Sequence, residues 1–212
     1  MLFKTVLSLC DYSGQWARPW RAGGWQVILI DTEQDDQAEH GIDRVAADVR
    51  LVTLPELALP VDSVDVILAA PPCTVFTNSG AQYWSKRSPG EMLEALGVVD
   101  ACLRLVHVYR PRVWAIENPI GRLEKWLGRH AGEFDPYEYA GYAADPPKDA
   151  YTKRTRLWGN FKLPEHKPLE PVRVCSQGSW IQKLGGKSKR TKRLRSTTPE
   201  GFAEAFYQAN RS

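Results

Sequence analysis

The stretch Val64-Asp65-Val66-Ile67-Leu68-Ala69-Ala70-Pro71-Pro72-Cys73 decides the fold. A short run of apolar and β-branched residues that stops at two prolines predicts a buried strand with an abrupt end. Cys73 follows at the carboxyl end of that strand, which is where open α/β sheets bind their ligands. A thiol in this position is a candidate nucleophile.

Strand-like and helix-like patterns alternate on both sides of this stretch. Strands are predicted over residues 4–9, 26–30, 64–69 and 113–116, with a short third element before Asp48. Helices are predicted over residues 16–22, 89–109 and 120–131. The alternation predicts an α/β domain with a Rossmann-like fold, in which a mostly parallel sheet carries helices on both faces.

The pattern changes after residue 135. Strands are predicted over residues 137–142 and 156–161, and residues 163–194 are predicted to be mostly loop. A final helix is predicted over residues 199–210, with Thr197 or Thr198 as its cap.

Composition narrows the class of protein. The 212 residues include 43% hydrophobic and 25% charged residues, which is ordinary for a folded domain. The four cysteines form no CxxC pair and the histidines are scattered, so no metal site is expected. No apolar run has the length of a membrane span, and the expected setting is the cytoplasm, with no membrane partner.

Positive charge is concentrated in one segment. Residues 183–195 contain seven basic residues and no acidic one, and elsewhere 21 basic residues face 25 acidic ones. The segment is either a solvated loop or a surface for polyanions, which cationic clusters bind by releasing counterions. The seven are Lys183, Lys187, Lys189, Arg190, Lys192, Arg193 and Arg195.

Polar groups stand at four predicted strand ends. Gly14 closes the turn after the first strand, Asp31 ends the second, Cys73 follows the fourth, and Glu117-Asn118-Pro119 follows the fifth. A single acid after a strand is more often a helix cap or a turn residue. An acid at the end of the second strand also suits a ribose diol, and the combination favours a ligand site.

Four motifs, in this order, resemble those of the DNA cytosine-5 methyltransferase family. They are Pro71-Pro72-Cys73, Glu117-Asn118-Pro119, Arg154-Thr155-Arg156 and Arg195-Ser196-Thr197-Thr198-Pro199. The resemblance implies S-adenosylmethionine as cofactor and DNA as partner. It also divides the chain into a catalytic domain (1–162), a short basic loop region (163–195) and a C-terminal helix packed on the catalytic domain (196–212).

The resemblance assigns roles to these residues. Cys73 is the nucleophile that attacks C6 of a flipped cytosine. Glu117 holds the N3 and amine edge, while Arg156 binds the base carbonyl and Arg154 supports the thiolate or a phosphate. The cofactor side comprises Cys10, Asp11, Tyr12, Ser13, Gly14, Asp31, Asp48 and Pro71. The DNA side comprises Pro72, Asn78, Ser79, Asn118, Pro119, Lys187, Lys189, Arg190, Lys192 and Arg193.

Ala70 argues for methylation of C5 of cytosine and against methylation of an exocyclic amine. Enzymes that methylate an amine carry Asp, Asn or Ser before Pro-Pro and an aromatic residue after it. Ala70 cannot accept a hydrogen bond from an amine, and Cys73 cannot stack on a base. Carbon-5 chemistry is therefore favoured.

Two segments depart from the family pattern. The family's glycine-rich first loop reads here Ser8-Leu9-Cys10-Asp11-Tyr12-Ser13-Gly14-Gln15, with one glycine. Residues 157–194 are too few for a full target-recognition domain. The recognised DNA sequence is then very short or degenerate, or a partner protein supplies the recognition, or the substrate is smaller than duplex DNA. The chain resembles a small phage or prophage form, acting in a prokaryotic or phage-infected cell.

Two other functions stay open. The same C5 chemistry could act on a free cytidine nucleotide or could use a modified cofactor. An enzyme for a free nucleotide, however, needs no basic cluster. A catalytically silent DNA-binding protein on a methyltransferase scaffold would explain the reduced glycine loop.

Overall fold

The computed structural model describes residues 4–34, 41–53, 57, 59–61, 63–174, 176, 178–184 and 188–212. The strands are β1 (Thr5–Leu9), β2 (Gln26–Asp31), β3 (Ile42–Ala46), β4 (Val66–Ala69), β5 (Val113–Pro119), β6 (Gly132–Phe134) and β7 (Thr155–Asn160). The described α-helices are α1 (Arg18–Ala22), α2 (Pro89–Tyr109), α3 (Glu124–Leu127), α4 (Pro146–Asp149), α5 (Trp180–Lys183), α6 (Lys189–Ser196) and α7 (Glu200–Asn210).

The described strands form one sheet in the order β3-β2-β1-β4-β5-β7-β6. Strands β1 to β5 are mutually parallel, and β7 runs antiparallel to both of its neighbours. The predicted α/β class with a mostly parallel sheet is confirmed. Because the strand order reverses beside β1, the carboxyl ends of β1 and β4 lie at the switch point where such sheets bind ligands.

The core lies on the two faces of this sheet. Side chains alternate along each strand, so Val6 faces a layer that includes α1 and α7, while Leu7 faces a layer that includes α2. In the first layer Phe202 stacks on Phe134 with ring centres 3.7 Å apart. Helices on both faces thus bury the sheet and fix its carboxyl edge.

Helix α2 has the predicted bounds, and its start has a clear local cause. Ser88 Oγ accepts a hydrogen bond from Glu91 N at 3.2 Å, while Glu91 Oε2 accepts one from Ser88 N at 2.9 Å. This reciprocal capping box satisfies two backbone donors that the helix leaves unpaired. Pro89 occupies the first turn, where its missing N–H costs nothing.

Two predicted elements are wrong in part. The helix predicted over residues 120–131 is a single turn, α3, which ends at Gly128 with a φ of 74°. Residues 137–142 form no strand but two 3₁₀ turns, Pro136–Glu138 and Ala140–Tyr142. Their alternation suggested a strand, but Pro136 starts a tight turn, and Glu138 Oε2 accepts a hydrogen bond from Asp135 N at 2.6 Å.

The loop prediction over residues 163–194 is wrong at its end, where α5 and α6 form. Ser188 Oγ accepts a hydrogen bond from Thr191 N at 3.2 Å and caps α6. Lysine and arginine are good helix formers, so a serine before this basic run was the available signal. Pro199 rather than a threonine precedes α7 directly. In the described part of the chain, no helix has both the length and the apolar character to cross a bilayer.

Candidate active site

The carboxyl ends of β4 and β5 are joined by a buried hydrogen bond. Asn118 Nδ2 donates to Pro71 O at 2.9 Å, across 47 residues of sequence. The register pairs Ala69 with Ile116, so the chain leaves β4 beside Glu117. The Pro-Pro-Cys and Glu-Asn-Pro motifs therefore meet at one edge of the sheet.

Cys73 lies just beyond this junction and is half-buried. Its carbonyl accepts hydrogen bonds from Phe76 N and Thr77 N, both at 2.9 Å, so a tight turn follows the cysteine. Burial raises the pKa of the Cys73 thiol; Lys153 and Arg195 oppose this rise, and Glu117 adds to it. The site therefore holds a neutral thiol that nearby positive charge can help to ionise.

Glu117 is a buried carboxyl group, 8% exposed, near Cys73. Among the described residues it has no hydrogen-bond partner for its carboxylate. Burial raises its pKa, Lys153 lowers it, and Asp11 raises it. The neighbouring Asn118 Oδ1 is also buried and unpaired within the described chain. Buried polar groups without partners are rare, and two side by side indicate a place for a polar ligand.

Lys153 is the residue that sequence reasoning missed. Its positive charge acts on both Cys73 and Glu117. Asp135 Oδ1 accepts a hydrogen bond from Lys153 N at 2.7 Å and holds the backbone just before β7. In the sequence, Lys153 is marked only by its position directly before the Arg-x-Arg motif.

Arg154 and Arg156 are engaged in ion pairs with an acidic group. Arg156 Nη1 lies 2.7 Å from Glu124 Oε2, and Arg154 Nε lies 3.0 Å from Asp135 Oδ2. Glu133 lies 3.6 Å from both guanidinium groups. Arg156 lies in β7 and Arg154 directly before it, two residues apart, and both reach Glu133. Their roles toward a base and the thiolate stay predictions.

The loop after β1 is organised by Asp11. Its buried carboxylate accepts hydrogen bonds from Ser8 Oγ at 2.8 Å, Ser13 Oγ at 3.0 Å and Gly14 N at 2.7 Å. Cys10 adopts the left-handed conformation with a φ of 56°, and the neighbouring Cys102 thiol, together with burial, raises the pKa of the Cys10 thiol. Three hydrogen bonds to the Asp11 carboxylate thus hold the conformation of this loop, which contains one glycine.

Replacing Gly14 by alanine should destabilise the fold by about 2 kcal/mol or more, because two costs add. Gly14 has a φ of +67°, and an added Cβ would lie 2.7 Å from Leu29 Cδ1. Gly24 is the matched control, since its φ is +88° but an added Cβ meets nothing within 4 Å. Urea unfolding should show a loss of only about 1 kcal/mol for Gly24→Ala. Equal losses in the two variants would refute the packing contribution.

Besides Asp11, the two other acids predicted on the cofactor side differ in their surroundings. Asp31 Oδ1 accepts a hydrogen bond from Glu33 N at 2.8 Å, and burial raises the Asp31 pKa. Its other oxygen has no partner among the described residues. Asp48, by contrast, binds Arg50 through both carboxylate oxygens, which lowers its pKa.

The segment after Cys73 is attached to the segment after β5. Asn78 N donates to Ile120 O at 3.0 Å, and Arg122 N donates to Phe76 O at 2.9 Å. Asn78 starts a 3₁₀ helix, Asn78–Lys86, and its side chain is exposed. Pro72 is exposed and Pro119 half-buried at the same edge. The predicted Ser79 side chain and Lys187 lie outside the described residues.

Helix α6 lies near the loop after β1 and the end of β2. The guanidinium carbon of Arg193 is 3.9 Å from the centre of the Tyr12 ring, and Arg193 Nη2 is 3.4 Å from Glu33 Oε2. The other predicted DNA-binding residues of the helix are exposed, namely Lys189, Arg190 and Lys192. The helix buries none of its side chains, so its basic surface stays accessible.

Comparison with solved structures yields the class of fold. A candidate DNA modification methyltransferase encoded within an E. coli prophage matches with a TM-score of 0.50 and 16% identity, over 88% of this chain and 56% of that one. A candidate type II methyltransferase from Anaeromyxobacter dehalogenans matches with a TM-score of 0.33 and 18% identity, over 66% and 46%. The PH0226 protein from Pyrococcus horikoshii OT3 matches with a TM-score of 0.37 and 12% identity, over 59% and 52%.

The fold is the Rossmann-like fold of methyltransferases. The chain spans about half the length of the solved structures that it matches. No protein-family model matches the sequence, and no curated protein does either. The chemistry of the site must therefore be argued from this chain's own residues.

Proposed function

We propose that this protein transfers a methyl group from S-adenosylmethionine to C5 of cytosine in DNA, with Cys73 as the nucleophile. The observation that carries the proposal is the meeting of the Pro-Pro-Cys and Glu-Asn-Pro motifs through the bond from Asn118 to Pro71. It sets a thiol at one edge of the sheet beside a buried carboxyl group that has no hydrogen-bond partner among the described residues. Ala70, which offers no side-chain acceptor, argues against an amine as target.

The chemistry requires both groups. C5 of cytosine is a weak nucleophile, and bonding of the Cys73 sulfur to C6 makes it enamine-like. Glu117, whose pKa is raised by burial, can keep a proton for N3 while the ring accepts electrons from the thiolate. C5 would then take the electrophilic methyl group, and its sulfonium carrier would leave as a neutral thioether. Loss of the C5 proton to solvent water, with return of the N3 proton to the Glu117 carboxylate, would let the C6–S bond break and free Cys73. Lys153 supplies the positive charge that favours the thiolate.

The cofactor side fits S-adenosylmethionine at the end of β2. One oxygen of Asp31 is free among the described residues and can accept hydrogen bonds from a ribose diol. Tyr12, Ser13 and Gly14 would border the cofactor, whereas Asp48 must first release Arg50 to reach it. The bound cofactor supplies an electrophilic methyl group.

DNA is proposed as the partner because α6 presents exposed cations beside the site. Lys189, Arg190 and Lys192 have no ion-pair partner in the described part of the chain. Neutralising phosphates with such side chains gives affinity without reading bases, so binding should weaken steeply with salt. A partner protein could add the sequence recognition that residues 157–194 are too few to provide.

Lys192→Gln should reduce the slope of log affinity against log salt concentration by about 0.9, since one phosphate contact is lost. Lys4→Gln is the matched control, because Lys4 is exposed at the amino end of β1, the opposite edge of the sheet. Fluorescence anisotropy with a labelled oligonucleotide at several salt concentrations measures both slopes. An unchanged slope for Lys192→Gln would remove α6 from the DNA interface.

One alternative has a specific observation in its favour. The carboxylate of Asp11 is fully used within its own loop and Asp48 is bound to Arg50, as expected of a scaffold that holds no cofactor. Equilibrium dialysis with S-adenosylmethionine separates the two functions. A catalytically silent DNA-binding protein would bind DNA and not the cofactor.

The central experiment measures the product. The protein is incubated with cytosine-rich DNA and S-adenosylmethionine, and the DNA is digested to nucleosides for mass spectrometry. We expect 5-methylcytosine. Its absence, with cofactor and DNA both shown to bind, would refute the proposal, and methylation of free cytidine nucleotides alone would favour the small-substrate alternative.

A further inference from the structure

An exposed aromatic surface lies beside the segment that follows Cys73. We define the aromatic platform as Tyr83, Trp84, Arg122 and Trp126. Tyr83 is 48% exposed and Trp126 is 43% exposed. The guanidinium carbon of Arg122 lies 4.8 Å from the centre of the Trp84 ring and 5.9 Å from that of Trp126. Two tryptophans thus flank one guanidinium group at the surface.

The platform is connected directly to the candidate nucleophile. Phe76 donates its backbone N–H to Cys73 O at 2.9 Å, and its ring centre lies 6.2 Å from that of Trp126. Arg122 donates its backbone N–H to Phe76 O at 2.9 Å. Gly121 makes this approach possible, because an added Cβ would lie 2.0 Å from Phe76 O. Two backbone hydrogen bonds through Phe76 therefore hold the platform close to Cys73.

The charge around the platform is positive. Lys86, Arg122, Lys125 and Arg129 have no ion-pair partner among the residues that the structure describes. Glu124, the acid in the same segment, pairs with Arg156 at 2.7 Å and His130 at 3.0 Å. Cations without ion-pair partners among the described residues, next to exposed aromatic rings, favour a ligand that carries both negative charges and flat aromatic faces.

We propose that the aromatic platform binds unpaired nucleobases of a single-stranded nucleic acid next to the target cytosine. Exposed rings stack on bases of any sequence, and the cations meet the phosphates between them. A duplex does not offer base faces, because its bases stack on each other. An apolar protein surface would leave the four cations unmatched. The inference rests on the proposed function in one respect, namely that the same strand reaches Cys73.

The test compares binding of a single-stranded oligonucleotide and of the duplex of the same sequence, without cofactor. Trp126→Ala should weaken single-strand binding about tenfold, which is about 1.4 kcal/mol. Trp126→Phe keeps a ring and should stay within about threefold of the unchanged protein. Duplex affinity, which depends on phosphates, should change little in both variants.

Tyr142→Ala is the matched control, since Lys167 lies over the Tyr142 ring at 5.5 Å, far in sequence from the platform. It should bind the single strand normally. The inference is overturned if Trp126→Ala binds the single strand like the unchanged protein, if it loses single-strand and duplex affinity equally, or if Tyr142→Ala loses as much. Thermal unfolding of each variant verifies that the fold is intact.

The readout separates this inference from the proposed function. If binding depends on Trp126 but no methyl group is transferred, the methylation proposal fails and the platform stands. If 5-methylcytosine forms equally well with Trp126→Ala and its single-strand affinity is unchanged, the platform fails alone.

Discussion

Cys73→Ala is expected to lower methyl transfer to cytosine by at least about 1,000-fold, because an alanine side chain cannot form the bond to C6. The side chain is half-buried and alanine is smaller than cysteine, so the variant should fold. The rate of 5-methylcytosine formation in single-turnover experiments measures the loss. Activity within about tenfold of the unchanged protein would exclude covalent catalysis by this residue.

The covalent bond itself can be observed. DNA that carries 5-fluorocytosine cannot lose a proton from C5 after methylation, so the bond between sulfur and C6 should persist. Mass spectrometry of the digested complex should place it on Cys73. Cys102→Ala is the matched control, since Cys102 is buried on α2, and this variant should still form the adduct. An adduct at another residue would relocate the nucleophile.

Glu117→Gln is expected to lower methyl transfer by about 100-fold to 10,000-fold, the range for loss of a positioned proton donor. Glutamine keeps the shape of the side chain and can contact the base, but it cannot give a proton to N3. Binding of the target strand should change much less than the rate. Glu133→Gln removes an exposed carboxyl group that pairs with Arg154 and Arg156, and it should cost less.

Glu117→Gln should also make the protein more stable than the unchanged chain at alkaline pH. Burial raises the pKa of Glu117 above its ordinary value. Between the ordinary and the raised pKa, the folded chain binds a proton that the unfolded chain has released, so stability falls as pH rises through that window. Glutamine removes this cost. Its unfolding free energy should exceed that of the unchanged protein at about pH 8 and approach it near pH 4.

Urea unfolding at both pH values tests this relation. A variant that is both less active and less stable at high pH would show that Glu117 serves the fold. A variant that is less active and more stable would show that the buried carboxyl group is kept at a cost to stability, as functional sites often require.

Local patterns predicted much of the sheet and the longest helix. The apolar runs of β1, β2 and β4 are buried on both faces and carry little polar interruption, so they are visible in any window. Helix α2 combines a capping serine, a proline in its first turn and a long apolar repeat. Short elements were missed, because α4, α5 and β6 are each too brief to show a period.

The sequence by itself determined the class of fold and the positions of Cys73 and Glu117, because strand ends follow from where apolar runs stop. The tertiary structure alone decided what surrounds them. Lys153 acts on both groups only because β7 runs antiparallel beside β5, and Arg122 lies between two tryptophans only because Gly121 lets two segments touch. Charge and contact act through space, and residues distant in sequence become neighbours only when the sheet is assembled.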